Sequence, residues 1–254
     1  MDIAAAPPLV SDLRNRAILL DIDGTILDLA PSPRQVWVPA GLRPILSCLA
    51  ELTDGALALV SGRPINDIDL IFSPLQFAAI GVHGAEMRNS ANAELQVRVA
   101  PLNKMLKRRL ATVAELGPGI LVEDKGYSLA LHYRLAPDRA EAVRAAVDAI
   151  CAQAPANSVE ILPGKLVLEI KPAGINKAVA VQDLMTRAPF AGRNPIFIGD
   201  DTTDEPVFGI LAQFGGLGFS VGRIVAAVNG HFDKPDTVRS WLARIAAEAE
   251  GPAE

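Results

Sequence analysis

The chain has 254 residues, half of them apolar and about a fifth charged, with a net charge of −5. That composition is globular and excludes a disordered chain, and the length holds one large domain or two modest ones. The acidic balance argues against a nucleic-acid partner, and no stretch approaches the roughly 18 uninterrupted apolar residues of a membrane span.

The opening MDIAAAPPLV lacks the basic start and long apolar core of a secretion signal, so the expected location is the cytoplasm. AILLDID (17–23) then reads as a strand. GLRPILSCLAEL (41–52) places Leu42, Ile45, Leu46, Leu49 and Leu52 on one helical face. ALALVSG (56–62) and FAAIGVHG (77–84) are further strands. Trp37, in the loop after the first strand, is expected to pack there. Near the C-terminus, PIFIGDD (195–201) and GLGFSVG (216–222) repeat the strand pattern. Trp241, with Val238, Leu242 and Ile245 at helical spacing, should dock a final helix. Continuous apolar strands separated by helices imply a parallel sheet covered on both faces.

The middle of the chain differs. A helix from Leu102 to Leu116 carries the basic run KMLKRRL, with Leu102, Met105, Leu106, Leu110 and Val113 inward. ILVEDKG and YSLALHY follow, and the latter alternates: Tyr127, Leu129, Leu131 and Tyr133 against Ser128, Ala130 and His132. A second helix runs from Pro137 to Cys151, with Val143, Val147 and Ile150 inward, and VEILPG and KLVLEIK complete the set. Helix, two strands, helix, two strands with period-2 alternation suggests an antiparallel sheet with helices on one face. The fold expected is therefore α/β: a doubly wound, Rossmann-like parallel-sheet core (1–90 and 172–254) with an inserted α+β cap (91–171). Cys48 and Cys151 match no metal or redox spacing and read as buried thiols in a reducing compartment.

In open parallel sheets, sites form at the carboxyl ends of strands. Three such ends carry chemistry: Asp21 and Asp23 in DIDGT, Ser61, Gly62 and Arg63 in SGR, and Asp200, Asp201 and Asp204 in GDDTTDE. Carboxylates brought this close repel one another. A hard divalent cation relieves that, and Mg²⁺ is held by one or two carboxylates plus water and substrate phosphate. Gly24 permits a tight turn and Thr25 offers a hydroxyl to an anion. A carboxylate beside a metal can attack phosphorus once the phosphate is neutralised, and a second acid two residues on can protonate the leaving oxygen. A lone DxD is also compatible with a turn or a calcium loop; the order DxDGT, SGR, Lys, GDDxTDE is the more specific signal.

With these three elements in order, the chain resembles the haloacid-dehalogenase-like phosphohydrolases. The resemblance implies a nucleophile at Asp21, a general acid/base at Asp23, phosphate-binding groups at Thr25, Ser61, Gly62 and Lys177, and a Mg²⁺ site from Asp21, Asp23 and Asp200, with Asp201 and Asp204 as supporting acids. Finer stretches, GVHGAE (81–86), VEDKGYSLALHYR (122–134), GKLVLEIKPAGINKAVAV (164–181) and GDDTTDE, are similar to the trehalose-6-phosphate phosphatases. One departure is Ala178, where a glycine commonly follows the lysine. No synthase-like segment precedes the motifs, so a stand-alone phosphatase is expected.

Spacing also bears on the sugar. In KLVLEIK, Lys165, Val167, Glu169 and Lys171 point one way and Leu166, Leu168 and Ile170 the other; Glu123 and Lys125 share a face. Such a face suits sugar hydroxyls or, equally on spacing alone, solvated ion pairs. The resemblance makes Glu123, Lys125, Lys165 and Glu169 disaccharide-binding residues of the cap, and Arg63, His83 and Glu86 substrate-binding residues of the core; His83 alone also reads as a structural histidine. The implied reaction is Mg²⁺-dependent hydrolysis of a sugar phosphate, trehalose 6-phosphate, through an aspartyl-phosphate. Alternatives are a sucrose-phosphate or mannosyl-3-phosphoglycerate type of phosphatase, or a non-catalytic sugar-phosphate sensor. Oligomeric state is not readable from the sequence.

Overall fold

A computed structural model describes residues 12–30 and 35–250. The segment read above as lacking a secretion signal lies outside the described residues. The chain divides into two compact units: residues up to Gln96 together with those from Asn176 onward, and Val97–Ile175 between them.

The first unit begins with β1 (Arg16–Leu20), α1 (Leu42–Leu52), β2 (Leu57–Val60), α2 (Ile65–Phe72), β3 (Ala78–Gly81), β4 (Glu86–Arg88) and β5 (Gln96–Val97). The second unit contributes α3 (Lys104–Ala111), β6 (Leu121–Asp124), β7 (Leu129–His132), α4 (Ala140–Cys151), β8 (Val159–Gly164) and β9 (Val167–Pro172). The first unit resumes with α5 (Lys177–Leu184), β10 (Asn194–Gly199), α6 (Glu205–Ile210), β11 (Leu217–Val221), β12 (Gly230–Phe232) and α7 (Pro235–Glu250).

The eight-stranded sheet runs β12-β11-β10-β1-β2-β3-β4-β5. From β12 to β3 every pairing is parallel, and β4 runs antiparallel to β3. Strand β1 explains why such strands read as unbroken apolar runs. Ile18 and Leu20 join a core with α1, α2 and α7, while Ala17 and Leu19 join a second core with α5 and α6 on the other face. A strand buried on both sides has no polar face to show. The order places β1 between β10 and β2, so the chain winds outward in both directions from β1. The crevice at this switch point, at the carboxyl ends of the strands, is where ligands bind in open α/β sheets.

The second unit is a four-stranded antiparallel sheet, β6-β7-β9-β8. Leu129, Leu131, Leu168 and Ile170 on one face pack with Leu106 and Leu110 of α3 and Val143 and Val147 of α4. The helix expected from Leu102 is α-helical over Lys104–Ala111 and tightens into a 3₁₀ turn over Thr112–Leu116. Its Met105 was expected inward but is exposed, unlike Leu106 and Leu110.

Trp37 corrects another expectation. It is 71% exposed and borders a surface groove with Arg43 and Leu70 instead of packing into the core. Trp241, 4% exposed, does dock α7, against Phe219 and Phe232. Cys48 and Cys151 are partly exposed and not buried as expected. Among the described residues no helix is long and apolar enough to cross a membrane.

Candidate active site

The acids of the first unit converge because three neighbouring strands end side by side. Asp21 follows β1, and its N–H extends the ladder to Ile198 of β10. Asp200 follows β10, and Ser61 follows β2. Asp21, Asp200 and Asp204 each bring a carboxylate oxygen within 4.8 Å of the others.

Lys177 is the counter-charge. It opens α5, is 3% exposed, and donates to Asp21 Oδ1 at 2.7 Å and Asp204 Oδ1 at 2.7 Å. Burial pulls its ammonium down, but Asp204 and Asp21 outweigh that and hold it above its ordinary range. One ammonium serves three carboxylates, so negative charge is in excess. Asp21 shows it: burial, then Asp204 and Asp200, push it well up against the pull of Lys177. Asp200 is raised to about 6, by burial first and Asp204 next.

The three acids are not equivalent. Asp204 is fully buried, and both its oxygens are engaged: Oδ1 by Lys177 and Oδ2 by the Asp201 N–H at 3.0 Å. Asp201 is exposed and accepts from the Thr202 N–H, forming with Asp204 a reciprocal cap on the 3₁₀ turn Thr202–Asp204. The two supporting acids thus separate, Asp204 into the cluster and Asp201 into the cap. Thr25 Oγ1 lies 3.1 Å from Asp21 Oδ2 and 3.3 Å from Asp200 Oδ1. It has one proton for two acceptors, and its residue is fully buried, so the hydroxyl ties the two carboxylates together; the sequence had suggested it for an anion.

Gly24 answers to both backbone and space. Its φ is +81°, and a Cβ there would stand 2.1 Å from Asp200 Oδ2. Any side chain would push Asp200 out of the cluster.

Asp23 does not share in that cluster of oxygens. Its carboxylate accepts both arms of Arg63, at 2.5 Å from Nε and 2.7 Å from Nη2, the bidentate geometry that suits this pair. Ser61, 2% exposed, accepts the Arg63 N–H at 3.1 Å, which fixes the SGR turn. The His83 ring lies against Gly62, where an added Cβ would come within 2.6 Å of it. Val82 and His83 both hold positive φ, 47° and 53°, a strained pair of non-glycine residues, and the His83 N–H returns to Ser61 O. Glu86 lies in β4, 8% exposed, and accepts the Ile65 N–H at 2.8 Å, capping α2. Burial pushes it above the usual carboxylate range, against the pull of that N–H.

The second unit has a polar sheet face of its own. Glu169, 7% exposed, accepts from Ser128 Oγ at 2.6 Å and Lys125 Nζ at 2.7 Å. Glu123 lies 2.8 Å from His132 Nε2, which holds its carboxyl below the ordinary range against burial. Lys171 pairs with Glu160 across the β8–β9 ladder. Lys165 departs from the expectation. Strand β9 begins at Val167, and Lys165 is exposed in a two-residue turn with Leu166, whose φ is +61°.

One residue near the acids escaped the sequence reading. Arg223 donates to the carbonyls of Asp200 at 2.6 Å and Asp201 at 2.7 Å and to Glu205 Oε1 at 2.6 Å. A signal was present: the Gly222-Arg223 pair that leaves β11 echoes the Gly62-Arg63 pair of the SGR turn after β2.

Residues 19–237 match the family model described as Trehalose-phosphatase. A Sinorhizobium fredii protein described as "Probable trehalose-phosphate phosphatase" is 40% identical over 241 residues, 94% of this chain and 90% of the relative. The Escherichia coli "Trehalose-6-phosphate phosphatase" is 37% identical, over 90% of this chain and 86% of the relative. Among solved structures, the C-terminal domain of the C. albicans trehalose-6-phosphate phosphatase aligns with a TM-score of 0.80 at 22% identity, covering 92% of this chain and 93% of that one, a likeness of fold.

Proposed function

The chain belongs to the trehalose-phosphatase family, and we propose that it hydrolyses trehalose 6-phosphate to trehalose and inorganic phosphate. The observation that carries the chemistry is the buried Asp21–Lys177–Asp204 cluster beside Asp200 at the sheet's switch point.

The donor set suits Mg²⁺: it is all carboxylate oxygen and carries excess negative charge. Asp21 and Asp200 would hold the ion; Asp204 is committed to Lys177 and Asp201. Asp23 joins as a ligand only by releasing Arg63. When bound, Mg²⁺ offsets the repulsion among the carboxylates and the charge of the substrate phosphate.

Asp21 attacks phosphorus in line, forming the aspartyl-phosphate and releasing the sugar oxygen. Lys177 holds Asp21 Oδ1 in place and has a third N–H left for a phosphate oxygen. Ser61 and Gly62, on the adjoining turn, take other phosphate oxygens. Asp23 protonates the leaving oxygen and then deprotonates the attacking water. To do so it must leave Arg63, whose freed guanidinium becomes available to the substrate. His83 and Glu86 shape this turn region, and Glu123, Lys125 and Glu169, with Lys165 from its hairpin turn, supply donors and acceptors for sugar hydroxyls.

The test is phosphate release from trehalose 6-phosphate, sucrose 6-phosphate and glucose 6-phosphate, with Mg²⁺ and then with EDTA. Release from trehalose 6-phosphate well above the others, abolished by EDTA, is expected. Preference for another sugar overturns the substrate assignment; release indifferent to EDTA overturns the metal.

A pH dependence follows from Asp200. Its carboxyl is raised from 3.8 to about 6, so the folded chain binds this proton more tightly than the unfolded chain does. Without metal, this group therefore lowers stability as pH rises from about 4 to 6. The ion binds only the carboxylate, so its affinity runs the opposite way. Calorimetric titration with Mg²⁺ is expected to show affinity falling as pH drops through 6, by up to about tenfold per pH unit from Asp200 and more steeply where Asp21, also raised, takes up its proton. An affinity flat from pH 5 to 7 would remove Asp200 from the site.

A further inference from the structure

We propose that Arg223 is a positioning residue for the metal-holding loop: by gripping the carbonyls of Asp200 and Asp201, it sets the direction in which Asp200 presents its carboxylate. The inference rests on the proposed Mg²⁺-dependent phosphatase reading.

The guanidinium is a rigid planar fork, able to fix two acceptors at once. Nε takes the Asp200 carbonyl at 2.6 Å and Nη2 the Asp201 carbonyl at 2.7 Å, so one group holds both peptide planes on the C-terminal side of these acids. Nη1 reaches Glu205 Oε1 at 2.6 Å, at the start of α6, and closes the loop on its far side.

Arg223 is itself anchored. Fully buried Ser220 donates from Oγ to the Arg223 carbonyl at 2.7 Å. Ser220 is paired across the sheet with Gly199, the residue before Asp200. The grip therefore starts from the strand next to the one it steadies. The side chain of Asp200 is held separately, by Thr25, and Asp204 by Lys177. Asp204 Oδ2 takes the Asp201 N–H, while Arg223 takes the carbonyls of both Asp200 and Asp201. An arginine–glutamate pair whose partners are 33% and 46% exposed contributes little to global stability. The orientation of a metal ligand is far more sensitive, and loss of a residue that orients one lowers metal affinity roughly 10- to 100-fold.

Three variants separate the roles. Arg223→Met removes every donor and keeps the stem. Arg223→Lys keeps the charge but cannot span both carbonyls. Glu205→Gln removes the charged arm and leaves the carbonyl contacts intact. Each is titrated with Mn²⁺ alone, followed by electron paramagnetic resonance, alongside a thermal melt and steady-state kinetics at saturating Mg²⁺. Both Arg223 variants should bind Mn²⁺ roughly 10- to 100-fold more weakly. Glu205→Gln should stay within about twofold of the parent, as should KM for the sugar phosphate in all three. Parent-like Mn²⁺ affinity in either Arg223 variant overturns the inference, as does an equal loss in Glu205→Gln. If Arg223→Met fails to fold, Arg223→Lys decides by the same criterion. A parent chain that binds no Mn²⁺ overturns the inference together with the proposed metal site, whereas a binding parent with unaffected variants overturns the inference alone.

Discussion

Asp21→Asn is expected to lower turnover by on the order of 10⁴-fold or more, about 5 kcal/mol of barrier, while the chain stays folded and binds its sugar phosphate. The amide cannot attack phosphorus, yet it fits the same space. Its oxygen still accepts from Lys177, and its nitrogen can donate to Thr25, which is then free to donate to Asp200. Stability should not suffer. Asp21 is a buried carboxyl raised by burial and by two neighbouring acids, so a neutral isostere relieves repulsion at neutral pH. Phosphate release and a thermal melt on the same sample check both halves. Turnover within tenfold of the parent would remove Asp21 as nucleophile. Retained binding with turnover lost would set the protein apart from a sensor, in which Asp21 has no chemical task.

Lys177→Met is expected to be the most destabilising single change in the first unit. It leaves Asp21 and Asp204, 5% and 0% exposed, with no cation between them. Breaking a buried pair by removing one partner costs about 3–5 kcal/mol, which for a chain of this size lowers the melting temperature by roughly 10 °C. The sign of the pH dependence identifies the cause. Unpaired buried carboxyls have folded pKa values raised further above their unfolded ones, so the variant's deficit should be largest above neutrality and shrink as pH falls toward 5 and the acids take up protons. Melts at pH 5, 7 and 8.5 test this; a deficit equal at all three would mean lost packing and not lost charge.

The sheet was legible in the sequence because its strands are buried on both faces, and burial on both faces leaves a simple trace: an unbroken apolar run. The acids and Lys177 were legible through the order of their motifs. What was not legible depends on geometry beyond strand ends. Asp201 and Asp204 look alike in GDDTTDE; only the 3₁₀ turn sends Asp204 inward to Lys177 and leaves Asp201 outside. The pairing of Arg63 with Asp23 spans 40 positions, and no periodicity announces it. Alternation told which residues of KLVLEIK share a face but not where the strand begins. The turn at Lys165 and Leu166 carries neither glycine nor asparagine to mark a positive φ, so Lys165 was counted as strand. Trp37 is an apolar residue that stays at the surface, which composition alone cannot foretell.

The nesting of one unit within the other has a consequence for how the chain is made. Every pairing of the four-stranded sheet lies within Leu121–Pro172, so a growing chain holds that sheet entire once Pro172 has emerged. Strand β1, synthesised long before, gains its central neighbour only when β10 is translated. By then Lys177 is already out. Asp200 and Asp204 therefore follow their counter-charge off the ribosome, and the repelling acids do not meet before the cation that reconciles them is at hand.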